Sequence, residues 1–180
     1  MAWVGSWFRY MARLRLAPYV PTPPSVGTTM LELARVRPGE VVVDLGCGDG
    51  RLLVQAVTAH GASRAVGYEL DSDLVDAARA AAGDDQRIEV RQADVLASGA
   101  CLAEADVVAL YLTERGNAAV LPLLRSHLRA SSRVVSYCWP MPGLPPTRTA
   151  QAVGRGVVLT RPNVLLWEYG DLVSQASEAT

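Results

Sequence analysis

The chain predicts an α/β fold, with a mostly parallel sheet covered by helices on both faces. Two observations carry this. From residue 41 onward, short runs of branched apolar residues alternate with amphipathic helical stretches, the order that βαβ units require. The first run, Val41-Val42-Val43-Asp44, then leads directly into Leu45-Gly46-Cys47-Gly48-Asp49-Gly50-Arg51, with glycines at every second position between strand and helix. Glycines there force a tight turn and let the main chain approach a ligand closely. A length of 180 residues, with 50% hydrophobic and 19% charged, suffices for one buried core and excludes a disordered chain.

The elements follow in order. Residues 19–24 read YVPTPP, which no helix interior tolerates, so they form a rigid extended segment. Residues 26–36 predict a helix with Met30, Leu31, Leu33 and Ala34 inward, and Pro38-Gly39 turns the chain. Strands are expected at 41–44, 64–69, 87–91, 106–112 and 133–137. The fourth is fully apolar at 107–110 and therefore central. Helices are expected at 51–60, closed by Gly61; at 71–82, capped by Asp71 or Ser72; and at 117–128, with Asn117 as a cap and Pro122 marking a kink or a late start. Residues 151–159 and 163–169 form a terminal pair around 160–162, and 173–180 form a flexible tail. One domain thus occupies 18–172, after an N-terminal helical extension at 1–17.

That extension carries Trp3, Trp7, Phe8, Tyr10, Arg9, Arg13 and Arg15 and no acid. It is too short in unbroken apolar residues to span a bilayer and lacks a signal-peptide pattern. Trp3, Trp7, Tyr10 and Leu14 share one helical face, which fits either packing on the domain or a peripheral contact with a membrane or partner. Three cysteines, Cys47, Cys101 and Cys138, are odd in number and widely spaced, and His60 and His127 stand far apart. This predicts no metal site and a reduced, cytoplasmic setting. A net charge of −1 argues against nucleic acid as partner.

Right-handed crossovers bring the residues that follow each parallel strand to one edge, where ligands bind. Asp44 ends the first strand and Gly46, Gly48 and Gly50 form the turn; Cys47 within it fills space. A P-loop would need lysine and Ser/Thr where Asp49 and Arg51 stand. Glu69, at the end of the second strand, suits both hydroxyls of a ribose, and Asp94, after the third, suits an adenine amine or a solvated loop. An acid at Asp44 disfavours a pyrophosphate and suits a ligand with an amino group and a positive charge. A sulfonium nucleoside fits better than NAD.

These residues resemble a known superfamily. The run VVVDLGCGDGR (41–51), the acid of GYELD (67–71) and QAD (92–94) are similar to class I S-adenosylmethionine-dependent methyltransferases. More narrowly, PYVPTP (18–23), MLELARVRPGE (30–40), LYLT (110–113), Asn117 with LPLL (121–124) and RVVSY (133–137) resemble a group of protein-lysine methyltransferases. That group includes the mitochondrial enzymes acting on the c-type ring protein of ATP synthase and on the adenine nucleotide translocase. The resemblance implies a Rossmann-like, seven-stranded, mostly parallel sheet with an antiparallel last strand. It also implies S-adenosylmethionine as cofactor, a protein substrate, and cofactor contacts from Asp44, Gly46, Gly48, Glu69 and Asp94, with the segment holding Tyr19 and Thr22 nearby. The mitochondrial members carry a membrane segment that this chain's aromatic-arginine stretch does not match. The Asn/Asp-Pro-Pro-Tyr signature of adenine methyltransferases is absent, LYLT standing in its place.

For an amine acceptor, Tyr111 and Thr113 leave the fourth strand at the ligand edge, where either hydroxyl orients the amine, and Glu114 receives its proton or attracts its charge. Tyr111 as core and Glu114 as a solvated acid are the bland alternatives. Trp139, beside the proline-rich loop 140–146, forms a wall or fills core, and Trp167 belongs to the core. Two other functions stay open: a small-molecule methyltransferase of the same fold, and a non-catalytic cofactor-binding module.

Overall fold

The computed structural model describes residues 16–152 and 163–174, so the expectations for 1–15, 153–162 and 175–180 lie outside the described residues. The strands are β1 (Val41–Leu45), β2 (Arg64–Glu69), β3 (Ile88–Gln92), β4 (Val107–Leu110), β5 (Arg133–Tyr137), β6 (Arg148–Ala150) and β7 (Val164–Glu168). The helices are α1 (Pro24–Leu33), α2 (Arg51–Thr58), α3 (Ser72–Ala82), α4 (Val95–Ser98), α5 (Glu114–His127) and α6 (Tyr169–Ser174), with a 3₁₀ segment at Gly99–Glu104. One seven-stranded sheet runs β3-β2-β1-β4-β5-β7-β6. β7 is antiparallel to both its neighbours, and β3, β2, β1, β4 and β5 pair in parallel.

Alternation along the strands divides the core into two layers. Val43, Leu45, Val66, Val108, Leu110, Val134 and Trp167 pack with α5 and α6 on one face. Val42, Ala65, Val107, Ala109, Val135 and Leu166 pack with α1 and α2 on the other. Trp167 is fully buried and its indole N–H donates to Leu144 O at 3.1 Å, which fixes the proline-rich loop against the sheet.

Some boundaries differ from those the sequence predicts. β6 lies at Arg148–Ala150, ahead of the expected 151–159, and pairs Arg148 with Leu166 and Ala150 with Val164. α5 starts at Glu114, because Thr113 caps it by accepting from Gly116 N–H at 3.1 Å; Asn117 is not the cap, and the helix runs through Pro122. The chain from Tyr169 to Ser174 closes as a helix, which overlaps the start of the tail expected from 173.

Candidate active site

The carboxyl ends of β1, β2 and β4 open into a cavity of about 460 Å³. Its lining includes Tyr19, Thr22, Asp44, Gly46, Cys47, Gly48, Glu69, Asp94, Leu110, Tyr111 and Leu112, residues from five separate stretches of sequence. Of the residues expected there, Gly50, Thr113 and Glu114 are not part of the lining.

The turn after β1 owes its shape to glycine. Gly46, Gly48 and Gly50 have φ of +84°, +55° and +76°. A Cβ on Gly48 would lie 2.7 Å from the Tyr19 ring, so the bare main chain lets that ring cover the turn. Gly50 serves a different purpose: it caps α2 and lets the helix start close to Ala78 of α3. Gly46 and Cys47 N–H both donate to Tyr68 O, at 2.8 and 3.0 Å, which ties the turn to β2. Cys47 is buried and packs on Gly67, where a Cβ would meet its Sγ at 2.6 Å; burial first, then Asp44, drives its thiol pKa far up, so it is inert.

Asp44 is buried at 6% exposure, and no described residue donates a hydrogen bond to its carboxylate. Its pKa is raised to about 7, by burial first and then by the charge of Glu69. Glu69 is satisfied largely by main chain: one oxygen accepts from Leu70 and Asp71 N–H at 2.7 and 3.0 Å, the other from Gly48 N–H at 3.0 Å. A carboxylate oxygen accepts two hydrogen bonds, so Glu69 keeps one acceptor position, enough for one hydroxyl in this orientation and not for two. Asp94 accepts from Leu96 N–H at 3.0 Å and so starts α4 as well as lining the cavity. Asp71 caps α3 through Asp73 N–H at 2.9 Å.

A strap from Leu16 to Pro23 covers this crevice and is latched at both ends. Arg51 pairs with Asp49 and donates to Thr22 O at 3.1 Å. Thr113 Oγ1 donates to Leu16 O at 2.7 Å while accepting from Gly116, so its hydroxyl is committed to strap and cap and does not orient an amine. Gly116 makes this possible, since a Cβ there would collide with Leu16 O. Sequence reasoning misses both Gly116 and Leu16; a lone glycine in the first turn of a helix is the available signal. The Tyr19 phenol pKa is raised, by partial burial and then by Asp49. Glu114 is exposed at the start of α5.

Tyr111, leaving β4, lies against Tyr137 of β5 with ring centroids 4.6 Å apart and planes at 60°. Burial, then Cys138, raises the Tyr111 pKa, so the phenol stays protonated at neutral pH and serves as a hydrogen-bonding group. Trp139 is exposed, so it is not core. Among the described residues no His, Cys, Asp and Glu group is arranged to hold a metal.

An unpartnered buried carboxylate, bare glycine main chain and a carboxylate with one acceptor position left fit a cationic nucleoside. With the strand order and the antiparallel β7, they define a class I S-adenosylmethionine-dependent methyltransferase. Comparison with known proteins agrees. The ANTKMT methyltransferase domain matches residues 44–148, and the chain belongs to that family. It is 35% identical over 124 residues to a protein-lysine N-methyltransferase of Saccharolobus islandicus, covering 67% of this chain and 75% of that one. It is 43% identical over 63 residues to the rRNA N(6)-adenosine-methyltransferase Mettl5 of Drosophila melanogaster, 33% of this chain and 29% of that one. A crystal structure of an RNA methyltransferase from Salinibacter ruber, in complex with S-adenosyl-L-homocysteine, superposes with a TM-score of 0.73 at 40% identity, covering 83% of this chain and 94% of that one. The cofactor is S-adenosylmethionine.

Proposed function

We propose that this enzyme methylates an amine on a protein lysine side chain. The observation that carries the reading is the division of the cavity. Carboxylates line the β1–β2 half, and Leu110, Tyr111 and Leu112 line the β4 exit. S-adenosylmethionine supplies the electrophilic methyl group. Asp44 takes its ammonium group, Glu69 a ribose hydroxyl and Asp94 the adenine amine, with Gly46, Cys47 and Gly48 against it and Tyr19 and Thr22 over it. The acceptor lysine must be neutral to attack, and its ordinary pKa is about 10.4. Desolvation between Leu110 and Leu112 favours the neutral amine. The Tyr111 oxygen accepts an amine N–H and so turns the nitrogen lone pair toward the methyl group. Glu114, exposed at the start of α5 two residues past Leu112, attracts the cationic side chain before it enters. The 35% identity to a protein-lysine N-methyltransferase, over 75% of that enzyme, supports the same acceptor.

A second reading, a nucleobase amine, is favoured by the RNA methyltransferase names of the Salinibacter ruber structure and the Drosophila relative. Leu110-Tyr111-Leu112-Thr113, in place of Asn/Asp-Pro-Pro-Tyr, speaks against it. Incubation of cell extract with methyl-labelled cofactor separates the two. Label in a discrete band that survives RNase, is removed by protease and yields methyl-lysine on hydrolysis is the expected result. RNase-sensitive label would overturn the lysine reading, and label confined to low-mass material would point to a small-molecule acceptor.

A further inference from the structure

The turn after β5 is built more heavily than a connection between strands requires. Cys138 has φ of +67°, a region that non-glycine residues seldom adopt. Trp139 N–H donates to Tyr137 O at 2.9 Å across it, which makes a three-residue γ-turn of the rare, strained kind. Such strain persists only where the surroundings over-determine it, and it clusters at functional sites. Here several bonds hold it. Cys138 N–H donates to Asn163 O at 2.7 Å, and Ser136 Oγ donates to Trp139 O at 2.8 Å. The Asn117 side-chain amide donates to the same Trp139 oxygen at 2.8 Å and reaches Pro140 O and Ser136 Oγ, both at 3.3 Å. Asn117 and Ser136 are both fully buried. Asn117 sits in the first turn of α5, where its own N–H donates to Thr113 O at 2.8 Å. The strained turn is therefore bonded to the segment that carries Tyr111 out of β4.

What the turn holds is Tyr137. This ring is buried, and it backs Tyr111, the aromatic group that the cavity wall presents at the β4 exit. We propose that the Ser136–Pro140 turn is a positioning device for Tyr111. Asn117 and Tyr137 act as positioning residues that fix the phenol where the acceptor meets the methyl group. The inference rests on the reading that the acceptor enters at the β4 exit. A fixed phenol matters there because orientation of the attacking nitrogen is most of what a methyl-transfer site contributes beyond its cofactor. The ring makes the contact with Tyr111, while the Tyr137 hydroxyl bonds the Cys138 side chain, so phenylalanine keeps the ring contact at that position.

Three variants test this, Tyr137→Leu, Tyr137→Phe and Cys138→Gly, with two readouts. The first needs no acceptor: ¹⁹F NMR of protein labelled with 3-fluorotyrosine, with the Tyr111 resonance assigned by its loss in Tyr111→Phe. The expected result is one sharp Tyr111 signal in wild type and in Tyr137→Phe, and a shifted or broadened one in Tyr137→Leu and Cys138→Gly. The second is turnover of the extract protein that the labelling experiment identifies, alongside calorimetric binding of S-adenosylhomocysteine. Tyr137→Leu lowers kcat by about tenfold while cofactor affinity holds within about twofold, and Tyr137→Phe restores kcat. Cys138→Gly adopts positive φ without strain, so Tm holds, but it lets φ vary and removes the side chain that bonds Tyr137, so kcat still falls, an outcome no purely stabilising role gives. If Tyr137→Leu fails to fold, Cys138→Gly carries the test alone. An unchanged Tyr111 resonance, or unchanged kcat in Cys138→Gly, would overturn the proposal. An RNase-sensitive product would overturn the lysine reading and leave the resonance test standing.

Discussion

The two edges of this sheet treat the charges at their strand ends in opposite ways. At the edge where the parallel strands begin, charges are partnered across elements. Arg133 pairs with Glu40 at 2.7 Å, Arg129 with Asp106 at 2.7 Å, and Arg64 with Glu89 and Glu104 at 2.5 and 2.9 Å. At the edge where they end, Asp44 is buried with no donor among the described residues, and Glu69 is held by main-chain N–H groups alone. The first arrangement holds strands together. The second is unfavourable for an ionised carboxylate in the ligand-free protein, and on the proposed reading a cation completes it. A carboxylate that weakens the fold where it stands marks the site more sharply than any paired charge.

Four substitutions would break or sharpen that contrast. The largest effect is expected from Asp44→Asn, which removes the charge and keeps the shape. Affinity for S-adenosylmethionine by calorimetry should fall on the order of 100-fold, while ligand-free Tm holds or rises because an unpartnered buried carboxylate is gone. Gly48→Ala comes next. Its Cβ meets the Tyr19 ring and its φ of +55° becomes strained, so the strap lifts; about a tenfold loss of cofactor affinity and about 1 kcal/mol of stability should follow. Glu40→Gln inverts the pattern. It leaves the Arg133 side chain at the far edge without a carboxylate, bonded only to Arg35 O, and should cost about 2 kcal/mol by urea denaturation with no change in cofactor affinity. Smallest is Thr113→Val, which removes both the α5 cap and the bond to Leu16. About 1 kcal/mol of stability and a roughly threefold faster release of S-adenosylhomocysteine in stopped flow are expected.

Much of this is legible in the sequence, and the exceptions have physical causes. β5 and β2 fall where their apolar runs predict, and the glycine turn after β1 needs its glycines for the reasons their positions suggest. β6 escapes a reading of the sequence because a three-residue edge strand, Arg148-Thr149-Ala150, is half-exposed and carries no apolar run. Thr113 reads as chemistry because a hydroxyl at a strand exit looks the same whether it faces a ligand or caps a helix. Its bond to Leu16, 97 positions away, decides the matter. Gly67 and Gly116 are assigned no purpose of their own from the sequence; it lies in Cys47 and Leu16, which only the fold brings near. The strained turn at Cys138 has no sequence signal, since cysteine is not a residue that announces positive φ.

The contrast between the edges is tested most directly by following wild type and Asp44→Asn across pH. Raising the folded pKa of Asp44 to about 7 means the native state holds a proton that the unfolded chain has released, so ligand-free stability from this group is full below about pH 4 and lost as pH rises to 7. Cofactor binding runs the other way, because the cationic ligand needs the ionised carboxylate. Between pH 6 and 8 wild type should bind S-adenosylmethionine about tenfold more tightly while losing ligand-free stability relative to Asp44→Asn, and the variant's affinity should stay flat. Equal affinities for the two proteins at pH 8, or parallel stability curves from pH 4 to 8, would contradict the assignment of Asp44 as the carboxylate waiting for the cofactor's positive charge.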